Sequence, residues 1–379
     1  MLMAFKKRKY KTKKGKILIV VDSLGIGGAE QQVVIDANLL LSDGWEIDLV
    51  FWEKKDFIKE INSGVKLLKL PSKKNIHKIF SLLKVCYQNK YDLIYSHLTK
   101  SNFYSAIVGA LMKIPVVVTE HGLGLWRINL IKYKLVVFIT FKLASRIICV
   151  CEAVRQLKIQ KEGACPGKTT VINNSFNLPS HTEDLECDLR TKYGFDYDIK
   201  IIGFVGRLVS VKRLDLLVKI AKEVVVKYNR VMFLIIGDGP CRASLEKQVL
   251  EAGLQNYFRF LGYQSKSQLW ELYKLIEISA LVSESEAQSM FLLESAGFRI
   301  PGVAFDIGGN KEVILNGETG FIVKFPDCIN FADNLLCLLT DNSLRDYLGI
   351  RAKQRIETEF SSEQRIKHLE ELFYQLKKG

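Results

Sequence analysis

Short apolar, β-branched runs alternate along the chain with longer stretches whose apolar residues recur at helical spacing. The first run, Lys16-Ile-Leu-Ile-Val-Val-Asp22, leads into the glycine-rich Ser23-Leu-Gly-Ile-Gly-Gly28, and Ala29–Leu41 then reads as a helix. Strand, glycine loop and helix in that order open a doubly wound unit. Further strands are predicted at Glu46–Trp52, Val65–Leu70, Leu93–Ser96, Val116–Glu120, Ile147–Cys151 and Thr170–Ile172, with helical stretches between most of them. Such alternation implies a parallel sheet with helices on both faces. Residues 179–198 are polar and turn-rich, with Pro179, Ser180 and several acids, and read as a linker. The pattern restarts at Lys200-Ile-Ile-Gly-Phe-Val-Gly206. A helix follows with Leu214, Leu217, Val218, Ala221, Val224, Val225 and Tyr228 on one stripe. Strands come next at Met232–Ile236, Phe258–Leu261, Ile278–Leu281, Gly302–Phe305 and Gly320–Val323. Residues 341–379 read as amphipathic helix, broken and recapped at Phe360-Ser361-Ser362.

A single core stops growing at roughly 250–300 residues, so 379 residues call for two domains. The expected fold is α/β, with two facing doubly wound, Rossmann-like domains and a C-terminal helical segment. Residues 1–16 form a basic tail, 17–178 the first domain, 179–198 the linker and 199–358 the second domain. Residues 359–379 form a helix packing back toward the first.

Composition narrows the class. With 48% hydrophobic and 25% charged residues the chain is core-forming, which excludes disorder for most of it. Eight cysteines without a C-x-x-C pair and five scattered histidines give no metal-ligand spacing and no disulfide scaffold, so a reducing cytosol fits. No apolar run approaches the roughly 18–20 residues of a spanning helix, and the N-terminus is too basic for a cleavable signal. The expectation is a cytoplasmic protein that is neither integral nor secreted by that route.

The net charge of +14 is uneven. Residues 1–16 hold eight Lys or Arg and no acid, residues 17–180 hold 21 against 13, and the remaining 199 hold 26 against 28. A basic half joined to a near-neutral half points to a face that meets an anionic surface, nucleic acid or the inner leaflet. The segment Lys6–Lys16 reads either as a solvated tail or as a membrane or polyanion contact. Trp126–Arg146 mixes apolar runs with Arg127, Lys132, Lys134, Lys142 and Arg146, the composition of a membrane-skimming surface or of a core helix with snorkelling lysines.

Ligands of doubly wound sheets bind beyond the carboxyl ends of the strands, so the chemistry is sought in those loops. Gly27 and Gly28 follow the first strand and open a helix, where amides and the helix dipole suit an anion. Arg207 and Lys212 follow the first strand of the second half, two cations suited to a diphosphate. Glu286 and Glu294 bracket the start of a helix whose first turn, Ser289 to Phe291, offers amides to a phosphate, while Glu294 could reach a ribose hydroxyl pair. His121 ends a strand of the first half and is the best placed of the five histidines to hydrogen-bond a substrate. Gly163-Ala-Cys-Pro-Gly-Lys-Thr169 is one residue short of a phosphate loop and precedes a strand, and Asp196-Tyr-Asp198 lies in a polar lead-in. Neither is assigned a role.

With these residues in place, the chain resembles glycosyltransferase family 4, retaining enzymes of the glycosyltransferase-B (GT-B) fold, from about residue 16 to 375. The motifs are Gly27-Gly-Ala-Glu30, Thr119-Glu-His-Gly122, Val171-Ile-Asn-Asn174, Gly206-Arg-Leu with Lys212, Gly237-Asp-Gly-Pro240, Phe260-Leu-Gly-Tyr263, the Glu286…Glu294 pair, Gly308-Gly-Asn-Lys-Glu312 and Gly317-Glu-Thr-Gly320. The resemblance implies a second domain that binds a UDP- or GDP-linked sugar and a first domain that binds the acceptor. It gives Arg207 and Lys212 to the diphosphate, Glu294 to the ribose, Glu286 and His121 to the transferred sugar, and Gly27 and Gly28 to the loop beside the phosphates. Tyr263, Ser289, Met290 and Phe291 fall among the donor-binding positions.

No cofactor and no metal are implied. The implied reaction is front-face transfer with retention onto a lipid-linked or polysaccharide acceptor in cell-envelope glycan synthesis, such as lipopolysaccharide, at the inner face of the plasma membrane and without a nucleic-acid partner. Ala287 and Arg299 stand where the family usually has glycine, and Ser175-Phe176-Asn177 replaces Gly-hydrophobic-Asp, departures that bear on the sugar pocket. Two rivals stay open: a nucleotide-sugar epimerase or hydrolase of the same fold, and a non-catalytic basic protein binding membrane or polyanion.

Overall fold

The β-branched runs become parallel strands, and the inner ones are buried because strands covered by helices on both faces are apolar throughout, while the edge strands Lys66–Lys69 and Thr169–Val171 are only partly buried. The computed structural model describes residues 14–25, 27–53, 56–71, 75–124, 130–178 and 189–377. The chain divides into two compact units, Met1–Asn173 with Arg365–Gly379 and Asn174–Gln364.

Unit 1 contains β1 (Lys16–Val21), β2 (Glu46–Phe51), β3 (Lys66–Lys69), β4 (Leu93–His97), β5 (Val116–Glu120), β6 (Arg146–Cys149) and β7 (Thr169–Val171). Its helices are α1 (Gly28–Ser42), α2 (Asn75–Gln88), α3 (Thr99–Met112), α4 (Ile131–Leu143) and α5 (Glu152–Glu162). The sheet order is β3-β2-β1-β4-β5-β6-β7, all parallel, and the winding direction reverses between β1 and β4. Register pairs Val21 with His97 and His97 with Thr119, so the ends of β1, β4 and β5 lie level. Gly109 of α3 is needed for close packing, since a Cβ there would come within 2.1 Å of Val116 Cγ2.

Unit 2 contains β8 (Lys200–Val205), β9 (Val231–Ile236), β10 (Phe258–Gly262), β11 (Ile278–Leu281), β12 (Gly302–Phe305) and β13 (Gly320–Val323) in the parallel order β10-β9-β8-β11-β12-β13. Its helices are α6 (Leu189–Tyr193), α7 (Leu214–Lys227), α8 (Arg242–Glu251), α9 (Lys266–Tyr273), α10 (Met290–Gly297), α11 (Asn310–Val313), α12 (Cys328–Thr340) and α13 (Asn342–Glu359). The winding reverses between β8 and β11. Both units are Rossmann-like, as in the GT-B fold.

The last helix, α14 (Ser362–Lys377), starts after the break at Phe360, where the Gln364 amide donates to Ser361 Oγ. Its Leu369, Leu372 and Phe373 close the core of unit 1 over α1, β1 and Trp45. Arg365, buried, forks onto Asp36 of α1 at 2.6 and 2.7 Å and donates to the carbonyls of Ile172 and Asn173. Tyr95 completes the cluster by donating to Asp36 at 2.8 Å.

Three boundaries differ from the sequence expectation. Lys14 and Lys16 are not tail: Lys14 pairs with Asp43 and Glu370, and Lys16 opens β1 and pairs with Glu46 at 2.7 Å and Asp48 at 3.3 Å. The rest of the basic tail, residues 1–13, lies outside the described residues, as does Arg127. Unit 1 ends at Asn173 because Phe176 is buried in unit 2 against Trp270 and Phe298, and most of the expected linker, 179–188, is likewise outside the described residues. The chain returns to unit 1 at Arg365 rather than at residue 359. Among the described residues no helix is long and apolar enough to cross a membrane.

Candidate active site

In unit 2 the candidate side chains sit on the loops beyond β8 and β11, the two strands that flank the reversal of winding, the position at which doubly wound sheets bind ligands at their carboxyl end. The loop after β8 carries Arg207 and then a short 3-10 turn, Ser210–Lys212. It is held from one side by the loop after β9: Leu208 N–H donates to Asp238 O, and Cys241 N–H to Leu208 O, each at 2.9 Å. Glycine is required there, because a Cβ on Gly237, whose φ is +127°, would meet Gly206 O at 2.0 Å and one on Gly239 would meet Leu208 O at 2.4 Å. On the other side Glu284 N–H donates to Val211 O at 3.0 Å. Arg213, in the left-handed region at φ 48°, spans Asp215 and Glu284 with bonds of 2.9–3.0 Å. The Arg213 guanidinium, by hydrogen-bonding Asp215, lowers that carboxyl from its ordinary value.

These straps bring Lys212 and Glu286 together at 2.6 Å, with both side chains partly open to solvent. Arg207 is exposed and has no charged partner among the described residues. The loop after β11 is further held by Gly309 N–H on Ala287 O at 2.7 Å and by Asn174 N–H on Gln288 Oε1 at 2.6 Å. Ser289 caps α10, so the leading amides of the helix emerge beside Glu286, while the side chains of Ser289, Met290 and Phe291 are buried. Glu294, in the second turn and buried, accepts a 2.6 Å bond from Tyr273 OH. Burial and that carboxylate push the Tyr273 hydroxyl well above its ordinary pKa, so it stays a donor. Tyr263 is exposed just beyond β10.

In unit 1 the corresponding reversal lies between β1 and β4. Gly27 caps α1, extended at φ −178°, with the Glu30 carboxylate folded over it. His121, immediately after β5, stacks on the fully buried His97 at the end of β4, with 3.0 Å between His121 Nε2 and His97 Nδ1. Burial first, then the Arg365 charge, lowers the His121 pKa to about 3, and His97 is lowered well below its usual value. Both rings are therefore neutral near pH 7: His121 can donate or accept a hydrogen bond but brings no positive charge. The base of this loop is pinned by Glu120, which accepts from Asn102 Nδ2 at 3.0 Å and lies 3.2 Å from the buried Lys158 ammonium.

His97, Arg213 and Tyr273 escaped the sequence reading. His97 had a signal, a polar residue at the carboxyl end of an apolar strand, but the strand was read to stop one residue earlier. Among the described residues no three His, Cys, Asp or Glu side chains gather in a way that could hold a metal.

Comparison with known proteins gives the family and the fold. Residues 26–178 match the model of Glycosyltransferase Family 4, and residues 187–355 match that of Glycosyl transferases group 1. The UDP-Gal:alpha-D-GlcNAc-diphosphoundecaprenol alpha-1,3-galactosyltransferase of Escherichia coli is 23% identical over 367 residues, covering 92% of this chain and 94% of that one. The capsular polysaccharide biosynthesis glycosyltransferase CapM of Staphylococcus aureus is 26% identical over 354 residues, 89% of this chain and 90% of that one. The crystal structure of Anabaena HepE in complex with UDP-glucose superposes with a TM-score of 0.82 at 20% identity, covering 95% of this chain and 100% of that chain.

Proposed function

Because the chain belongs to the family 4-type glycosyltransferases, we propose that it transfers a sugar, with retention, from a nucleoside diphosphate to a lipid-linked or polysaccharide acceptor in cell-envelope glycan synthesis. One observation carries the reading: a solvent-accessible Lys212–Glu286 pair, an exposed arginine, Arg207, in the same loop, and a helix start, all at the carboxyl end of one sheet. Arg207 and Lys212 neutralise the diphosphate, and the leading amides of α10 take its remaining phosphoryl oxygens. Glu294 accepts from the ribose hydroxyls and Glu286 from the sugar, while Tyr263 lies beside the base or sugar.

In this reading the bond from the anomeric carbon to the diphosphate breaks, and the bond to the acceptor oxygen forms on the same face. The acceptor proton passes to the leaving phosphate oxygen. Two fixed cations hold the charge that develops there, the role a divalent ion would otherwise fill, so the reaction proceeds without a metal or other cofactor. In unit 1 the neutral His121 hydrogen-bonds a sugar hydroxyl, and the amides at Gly27 and Gly28 face an anion. A membrane-linked acceptor puts the protein at the inner face of the plasma membrane, without a nucleic-acid partner.

The test is a panel of UDP- and GDP-sugars read by thermal shift, followed by product analysis. A stabilising donor and a product of unchanged anomeric configuration are expected. A donor consumed equally with and without acceptor, giving free or epimerised sugar, would overturn transfer.

A further inference from the structure

Between Glu60 and Glu152 the acids are Asp92 and Glu120 alone, against fourteen lysines and arginines. Neither acid belongs to a helix: Asp92 precedes β4 and accepts from the Lys16 amide, and Glu120 is buried against Lys158. The helices α2, α3 and α4, packed α2 on α3 and α3 on α4, therefore carry no carboxylate of their own, and the acids that reach them come from outside: Glu53 pairs with Lys78 of α2, and Glu162 accepts from Tyr133 of α4.

The outer surface of this layer is also apolar. In α4, Val137, Thr140 and Phe141 face inward, while Ile131, Leu135 and Phe138, at i, i+4 and i+7, form an outward stripe with each residue more than half exposed. In α2, Ile76, Phe80 and Tyr87 make a second such stripe. Leu111 of α3 is exposed as well. Lys84, Lys113, Lys132, Lys134 and Lys142 lie on or directly after the same helices and are all exposed, without a carboxylate partner among the described residues. A helix that is apolar on both faces has something to cover its outer one. In unit 2, by contrast, α7 intersperses Asp215 and Glu223 among its lysines, and the exposed α8 pairs Arg242 with Glu246.

We propose that the outer face of the α2–α3–α4 layer rests on an anionic lipid bilayer, with its apolar stripes in the acyl boundary and its lysines among the headgroup phosphates. The charge pattern selects this occupant. A second copy of the chain meeting the same face would set lysines against lysines on helices that carry no acid of their own, which is repulsive. A nucleic acid would use the lysines but leave Ile131 and Leu135 with nothing to contact. Helices lying in the interface plane need both features, apolar area and cationic rim. The proposal deepens the reading of a membrane-linked acceptor by naming the face of unit 1 that meets the membrane.

The test is sedimentation of the full chain with vesicles of phosphatidylcholine, alone or mixed equally with phosphatidylglycerol. The variants are Ile131→Ser with Phe138→Ser, and Lys132→Glu with Lys134→Glu and Lys142→Glu, all at exposed positions. Wild type is expected to bind the mixed vesicles at least about tenfold more strongly than the neutral ones, and each variant to lose at least about tenfold, with its melting temperature and UDP-induced shift kept. Wild type remaining in the supernatant with both vesicle types would overturn the proposal. So would loss with the lysine variant alone, which indicates polyanion contact, or an apolar variant that turns a dimer into a monomer and still binds vesicles, which indicates an interface between copies. Absence of a UDP shift in wild type would sink the transferase reading and leave the vesicle result standing.

Discussion

Two ion pairs of similar chemistry serve opposite ends in the two units. Arg365 and Asp36 in unit 1 are almost completely buried, and the guanidinium is shared among a carboxylate, two carbonyls and a tyrosine. Lys212 and Glu286 in unit 2 meet through a single contact, partly in solvent, on two loops at a sheet end. The first cluster is internally satisfied and has nothing left for a ligand, so its work is architectural: it fixes the chain where it leaves unit 1 at Asn173 and where it returns at Arg365. The second keeps ammonium donors accessible in the same loop as Arg207, which has no charged partner among the described residues, the condition for capturing a phosphate. What separates a structural pair from a binding pair is thus how completely its hydrogen-bonding capacity is used, not its charge.

The comparison breaks most visibly at Arg365. Arg365→Ala leaves Asp36 buried without its cation and is expected to cost about 3–5 kcal/mol in urea unfolding. An unchanged midpoint would show that the cluster does not hold α14. Glu294→Ala is next: it strands the buried Tyr273 hydroxyl, at about 1–3 kcal/mol, and also removes the ribose contact, so stability and UDP affinity fall together. Tyr273→Phe separates the two effects, since it is expected to keep UDP binding.

The neutral histidine pair adds a smaller, pH-dependent effect. The folded pKa of His121 is about 3 against an ordinary 6.5, and His97 is lowered too. Between those values the unfolded chain binds the protons, so stability is full above about 6.5 and declines as pH falls below it. A melting temperature flat from pH 7 to pH 5 would contradict the neutral pair. Smallest in stability is Lys212→Ala, expected to change unfolding by less than about 1 kcal/mol, although its effect on the ligand is large.

Much of this was legible in the sequence, for a physical reason. Parallel strands buried on both faces leave continuous apolar runs, and the bounds of β11, β12 and β13 match their predicted ones residue for residue. Once the strands were placed, Lys212 and Glu286 fell in loops at strand ends, so those loops could be found without coordinates, whereas the change in winding between β8 and β11 came only with the strand order. What escaped depends on contacts far apart in sequence. Asp36 and Arg365 are 329 positions apart, and no local pattern pairs them; Tyr273 and Glu294 are 21 positions apart on different helices, and no local pattern joins them either. Lys14 and Lys16 read as tail because their partners, Asp43, Glu46, Asp48 and Glu370, lie on other elements.

The account rests on cationic side chains of unit 2 gripping a nucleoside diphosphate. Calorimetric titration of UDP and GDP, in the presence of EDTA, into wild type and Lys212→Ala tests it most directly. One nucleotide is expected to bind wild type without a divalent ion and to lose at least about tenfold, roughly 1.4 kcal/mol, in the variant at an unchanged melting temperature. Binding that appears only when magnesium or manganese is added, or equal affinity in the variant, would contradict it.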